Sequence, residues 1–282
     1  MNSIWNQVTS AGRLISLPEV YLRLKEILDD PDYTLAEVAR VVSKDPAVTV
    51  RLLRIVNSSL YSFSTEIETV GRAITLLGTQ QVHDLVLATS VARSFSEMNL
   101  EVMDVHRFWR RSLYCAVTCK ILGSASAELE RRERLFVAGL LHDIGHLIMY
   151  QAIPEYSLEA MQLAKNDSIP IHLAERKLFA FDYAGVGGFM LSQWRLPEVL
   201  CEATKFHVEP NDTSPYAYET AIVHIASLLS LAFDDGGGDF EEDIRKIDPV
   251  IWKSAHLTAE QCLHFKEETD KEFQEALHVI FG

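Results

Sequence analysis

Apolar residues recur along this chain at spacings of three and four, the period of a helix with one buried face. After Ser16 they fall at Val20, Leu24, Ile27 and Leu28, and Ser16 with Glu19, plus Pro18 in the first turn, reads as a capped start. The signal repeats where Thr34 and Glu37 mark a start and Leu35, Val38, Ala39 and Val42 follow at helical spacing. Asp45-Pro46 opens a third helix to about Ile55, because aspartate caps free amides and proline suits the first helical position. Gly78 ends another helix and Thr79 begins the next. Near the end, Thr258 and Gln261 cap a last helix whose Cys262, Phe265, Phe273, Ala276, Leu277 and Ile280 form one apolar stripe. The glycines and prolines, 13 and 9, fall between such stretches rather than inside them. No alternating run is long enough to supply a sheet, and no internal repeat of fixed period is present. The pattern predicts an all-α fold.

Composition narrows the class. With 282 residues, 48% of them hydrophobic and 23% charged, the chain can bury a core and is not a disordered polymer. Its net charge of −14 argues against broad binding to nucleic acid or anionic membrane, while leaving room for a local basic patch. The longest apolar runs, such as residues 136–141, are too short to span a bilayer. The first residues, MNSIWNQVTSAGR, lack a secretory pattern, and Cys115, Cys119, Cys201 and Cys262 lack zinc-ribbon spacing. A cytoplasmic, reduced setting is the expectation. The segment DDGGGDFEEDIRK, residues 234–246, is expected to be an exposed, mobile loop.

The sharpest chemical signal is GLLHDIGHLIMY, residues 139–150, read as a helix that is apolar on nearly every other side. His142 and Asp143 there offer nitrogen and oxygen ligands for zinc, manganese or iron. His142 and His146 stand four apart, as two ligands on one helical face would, but the zinc-protease pattern needs glutamate where Asp143 stands. Alternatively the pair hydrogen-bonds within the core, which is how buried polar groups are usually satisfied. Cys115 and Cys119 read as small core residues. His83, His172, His256, His264 and His278 read as surface or satisfied side chains, and His106 as a weak candidate for the pocket. Arg40, Lys44, Arg51 and Arg54 in residues 34–57 give a helix–turn–helix impression, yet Val48, Val50, Leu52, Leu53, Ile55 and Val56 make the second helix too apolar to lie in a DNA groove. The GVGG at 185–188 lacks the spacing of a nucleotide loop and suits two closely packed helices.

LFVAGLLHDIGHL resembles the HD superfamily of metal-dependent phosphohydrolases. Two N-terminal blocks, SLPEVYLRLKEILDDPDYTLAEVARVVSKDPAVTVRLLRIVNSSLY and ETVGRAITLLGTQQVHDLVLATSVA, narrow the resemblance to the HDOD family, the HD-related output domain of bacterial signalling. FWRRSLYCA, LSQWRLPEVL and KFH follow in the family's order, so the resemblance covers roughly residues 10–280. It implies two parts packed as one unit: an N-terminal helical region, residues 1–100, and an HD-like region, residues 101–282. It also implies where metal ligands should stand. The His-Asp pair survives as His142 and Asp143, but Arg111 replaces the upstream histidine and Tyr183, beside Asp182, replaces a later one. A paired His-His is reduced to Phe206-His207, and Ser227 replaces the distal aspartate one turn after His224. Arg111 would repel a metal and pair with Asp143.

The resemblance therefore implies a vestigial metal site at His142 and Asp143, with Arg111, His146, Tyr183, His207 and His224 around it. The function it implies is a non-catalytic signal-transduction module acting on other signalling proteins, including those of cyclic-dinucleotide pathways, with a small ligand in the relic pocket. On this reading there is no catalytic residue and no cofactor. The alternative is a metal-dependent phosphohydrolase acting on a nucleotide or cyclic dinucleotide, in which His142, Asp143, His207 and either His224 or His146 gather one ion. Oligomeric state is left open.

Overall fold

Helices in the computed structural model begin at the caps, and it describes residues 2–14, 19–58, 61, 63–96, 100, 102–125, 129–234 and 240–281. The N-terminal part contains α1 (Asn2–Leu14), α2 (Glu19–Leu28), α3 (Leu35–Ser43), α4 (Pro46–Val56), α5 (Val70–Leu77) and α6 (Thr79–Ser96). Thr34 and Glu37 form a reciprocal capping box before α3, and the Asp45 carboxylate accepts from the amides of Ala47 and Val48 at 2.9 and 3.0 Å. Gly78 ends α5 with φ +92°, a conformation other residues rarely adopt. The cap at Ser16 and Pro18 lies outside the described residues, although α2 follows it and buries Val20, Tyr21 and Leu24.

The remainder is built from α7 (Val105–Leu122), α8 (Leu129–Leu141), α9 (Ile144–Ala152), α10 (Pro154–Asp167), α11 (Ile171–Phe179), α12 (Tyr183–Gln193), α13 (Glu198–Phe206), α14 (Ala217–Asp234), α15 (Phe240–Arg245), α16 (Pro249–Ala255), α17 (Ala259–His264) and α18 (Lys266–Phe281). No strand occurs among the described residues, so the fold is all-α. Every residue from 135 to 150 is buried, which places the end of α8 and the start of α9 at the centre. A helix apolar on all sides must sit inside others, and α7, α12, α13 and α14 surround this centre. The N-terminal helices pack on the same core: α6 lies on α8, α1 on α9 and α12, and α18 returns to α4 and α7. The two parts form one unit. The apolar side of α4 is buried through Val48, Leu52, Ile55 and Val56. No helix among the described residues is long and apolar enough to cross a membrane.

Three local expectations are corrected. His142 and Asp143 do not lie within a helix; they form a turn between α8 and α9, so His142 and His146 do not share one uninterrupted helical face. Residues 240–245 are helical rather than loop, because Ile244 is fully buried and anchors α15 against α14, while 235–239 lie outside the described residues. The last helix is two helices: the Phe265 amide bonds to the carbonyls of Gln261 and Leu263, closing α17 before α18 begins.

The break after α8 lets α9 pass beneath α12 at backbone distance. A Cβ on Gly145 would stand 1.9 Å from the Tyr183 carbonyl oxygen and 2.8 Å from the Gly187 nitrogen. GVGG serves the other side of α12 in the same way: a Cβ on Gly188 would meet the Cys201 carbonyl at 2.9 Å. Gly145→Ala is thus expected to destabilise the protein by about 3 kcal/mol, through overpacking against backbone that cannot swing aside. Thermal melting checks this, and an unchanged midpoint would mean that α9 and α12 are not held in this contact.

Candidate functional site

The turn at 142–143 exists because Asp143, with φ −99° and ψ 9°, stands at the N-cap position of α9 but makes no side-chain cap. Its carboxylate turns instead toward α7 and α13. The Arg111 guanidinium donates to Asp143 Oδ2. On the same carboxylate, His142 Nε2 lies 3.3 Å from Oδ2, and His207 Nε2, from the C-cap residue of α13, lies 3.4 Å from Oδ1. Neither imidazole is aligned for a directional hydrogen bond, since His142 Nε2 and Asp143 Oδ1 find no such partner.

Both rings are oriented from behind. His142 Nδ1 donates to the Gly139 carbonyl and His207 Nδ1 to the Thr204 carbonyl, each at 2.7 Å, which turns the two Nε2 atoms inward. Backing of this kind is what metal-binding histidines use. The donor atoms of His142, Asp143 and His207 all lie within 4.8 Å of one another.

The other candidate residues form a ring around these three. Tyr183, at the start of α12, has its hydroxyl 3.4 Å from His207 Nε2. His146 stacks on the Tyr183 ring, with centroids 3.6 Å apart, rather than turning toward Asp143. His224 Nδ1 donates to the His207 carbonyl at 2.5 Å, so it positions the α13 terminus and holds its own ring away from the carboxylate. His106 is exposed on the first turn of α7. Asp182 is drawn off to cap α12, accepting from the Gly185 amide at 2.7 Å and from Arg176 at 2.5 Å.

Charge in this centre follows from burial and pairing. Burial opposes charge on His142, but the adjacent Asp143 carboxylate and the Cys115 thiol raise its pKa to about 10. Burial would raise Asp143, yet His142 and Arg111 hold its carboxyl well below the usual range. His146, buried beside other cations, is lowered to about 3. Three participants carried no local sequence signal. Cys115, an ordinary core position, lies against His142. Glu175, inside the polar-looking stretch AERK, is fully buried and accepts from the Tyr183 amide at 2.8 Å. Arg176 ties Asp182 to Glu209. His83, also buried, pairs with its neighbour Asp84 at 3.0 Å in α6, outside this centre.

The three donors suit a divalent transition metal by type and stand close enough together to share one. Arg111 supplies compensating positive charge at Asp143 Oδ2, while Oδ1 has no hydrogen-bond partner. The centre is a buried polar cluster linking α7, α9, α12, α13 and α14.

The sequence model for the HDOD domain matches residues 14–210 of this chain. An uncharacterised protein of Treponema pallidum is 23% identical over 242 residues, 84% of this chain and 46% of its own. The chain thus spans about half the length of that relative. Among solved structures, an HDOD domain protein with unknown function from Geobacter sulfurreducens is 21% identical with a TM-score of 0.73, over 98% of this chain and 99% of that one. A protein from Shewanella amazonensis, provisionally named a phosphohydrolase, is 22% identical with a TM-score of 0.71, over 95% and 97%. At these identities the structural likeness speaks for the fold.

Proposed function

Because this chain belongs to the HDOD family, we propose that it is a non-catalytic output module of signal transduction, acting through contacts with other signalling proteins. The observation that carries this reading is the Arg111–Asp143 pair. In a metal-dependent phosphohydrolase an ion polarises a phosphate and activates water. Here a side chain of the protein itself holds the carboxylate such an ion would need.

The relic centre then works as a latch. Five helices meet at one buried charge cluster, and interfaces of that kind switch between discrete packings more readily than they deform. A partner that binds one packing better than the other shifts the population by its difference in affinity. Proteins of cyclic-dinucleotide signalling are the partner class we favour, and the setting is cytoplasmic.

The runner-up, a phosphohydrolase of nucleotides or cyclic dinucleotides, draws on the convergence of His142, Asp143 and His207. Elemental analysis separates the two, on protein purified without chelator and without a metal-affinity step. Iron, manganese and zinc are expected only at trace level, and near-stoichiometric metal would overturn the non-catalytic reading. Arg111→His adds a fourth nitrogen or oxygen donor while removing the competing cation. Added zinc is expected to raise the melting temperature of that variant by several degrees through binding to the native state, and to leave the wild type unchanged.

A further inference from the structure

The face of α12 opposite the His-Asp centre borders a cleft of about 830 Å³ between α1, α12 and α13. The His-Asp-His centre does not line it, and of the residues around that centre only Arg176 and Asp182 reach its edge. Its walls are aromatic. Trp5 of α1 packs edge-on against Phe181 and Phe189, with centroids 5.1 and 5.2 Å apart, and Phe206 closes the far side. All four rings are only partly buried, so they present apolar surface inside a concavity of the size small molecules occupy.

The charges in the cleft are unbalanced. Arg176 is held by Asp182 at 2.5 Å and Glu209 at 2.7 Å, so that cation is spent on the protein's own carboxylates. Glu198, whose Oε2 accepts from the Tyr216 hydroxyl at 3.1 Å, and Glu202 stand on successive turns of α13 with Lys205 as the other cation of the lining, its ammonium 4.6 Å from the Phe206 ring centroid. The lining as a whole holds two cations and four carboxylates. That excess of negative charge opposes a nucleotide or other phosphate, while aromatic faces beside carboxylates attract positive charge.

We propose that this cleft is a binding site for a small organic cation with a flat apolar body, stacked against Trp5 and the phenylalanines and paired with Glu198 and Glu202. The site stands apart from the proposed output role and does not depend on it. Because Trp5 lies on α1, which also packs on α9, a bound cation would tie α1 to the helix that follows the His-Asp turn.

The test is an equilibrium titration of the full chain with thioflavin T, a flat fluorescent cation. The anionic dye anilinonaphthalene sulfonate and a cyclic dinucleotide serve as comparators. Saturable binding of one cation per chain is expected, weakened about tenfold in Glu198→Gln/Glu202→Gln, with Trp5→Phe retaining most and Trp5→Ala little of the affinity. Urea melts of the same variants separate lost binding from lost folding, and the two exposed-face glutamine changes keep the test valid if Trp5→Ala unfolds. Absence of saturable binding would overturn the proposal. So would binding indifferent to the two glutamates, or an anionic comparator that competes as well as a second cation does.

Discussion

Asp143→Asn is expected to cost about 3–5 kcal/mol of folding stability, because it leaves the largely buried Arg111 guanidinium without its carboxylate and removes the charge that keeps the buried His142 imidazole protonated. The side chain of Asp143 is 4% exposed and that of His142 is fully buried, so water cannot take over the missing charge. Arg111→Met should cost less, about 2–3 kcal/mol, since the His142 imidazolium stays 3.3 Å from Asp143 Oδ2 and keeps it compensated. The double variant Arg111→Met/Asp143→Asn is expected to recover part of the loss, because the guanidinium stranded by the first change is gone. Urea denaturation of the four proteins forms the cycle. Equal costs for the two single changes, with full additivity in the double, would show that the pair is not coupled. If Asp143→Asn kept wild-type stability but abolished a phosphatase activity, the non-catalytic reading itself would fall.

The second large effect concerns pH. Burial raises the Glu175 carboxyl from 4.5 to about 8, against the pull of the Tyr183 amide, so the group is protonated in the folded protein at neutral pH. A group whose pKa is higher in the folded state than in the unfolded one contributes its full stability below the unfolded value. That contribution is lost as pH rises toward the folded value. For Glu175 the loss runs from about pH 4.5 to about pH 8 and amounts to roughly 4–5 kcal/mol. Glu175→Gln keeps an acceptor for the Tyr183 amide and removes the titration. The variant is expected to match the wild type near pH 5 and exceed it in stability at pH 8. His142, raised to about 10, adds a further decline between its unfolded value of 6.5 and pH 10, which the variant retains. Guanidinium melts at pH 5, 7 and 9 read both slopes, and identical slopes in the two proteins would mean that Glu175 is already ionised in the fold.

Neither effect follows from residue order alone. Arg111 and Asp143 were legible as a pair because family blocks align them, but the turn that delivers the carboxylate was not. GLLHDIGHLIMY has no proline and no capping pattern before Asp143, and it reads as one helix. The chain turns there because α9 must pass under the Tyr183 carbonyl, a contact between residues far apart in sequence. Glu175 sits among Glu, Arg and Lys neighbours that mark a solvated face, and only the packing of α11 against the start of α12 buries it.

Helix starts belong to the opposite case. Thr34, Asp45 and Thr258 cap amides two or three residues away, and Gly78 permits a backbone angle at its own position, so those features are written in a handful of adjacent residues. The all-α class follows, because the apolar period is likewise local. The charge state and geometry of the centre arise differently. They depend on Arg111, Asp143 and His207 converging from α7, the turn before α9 and the end of α13, and on Glu175 being buried against the start of α12, where loss of water changes what each group can hold. Secondary structure here is an interaction of near neighbours, and the chemistry of the centre is a property of burial that only packing at long range creates.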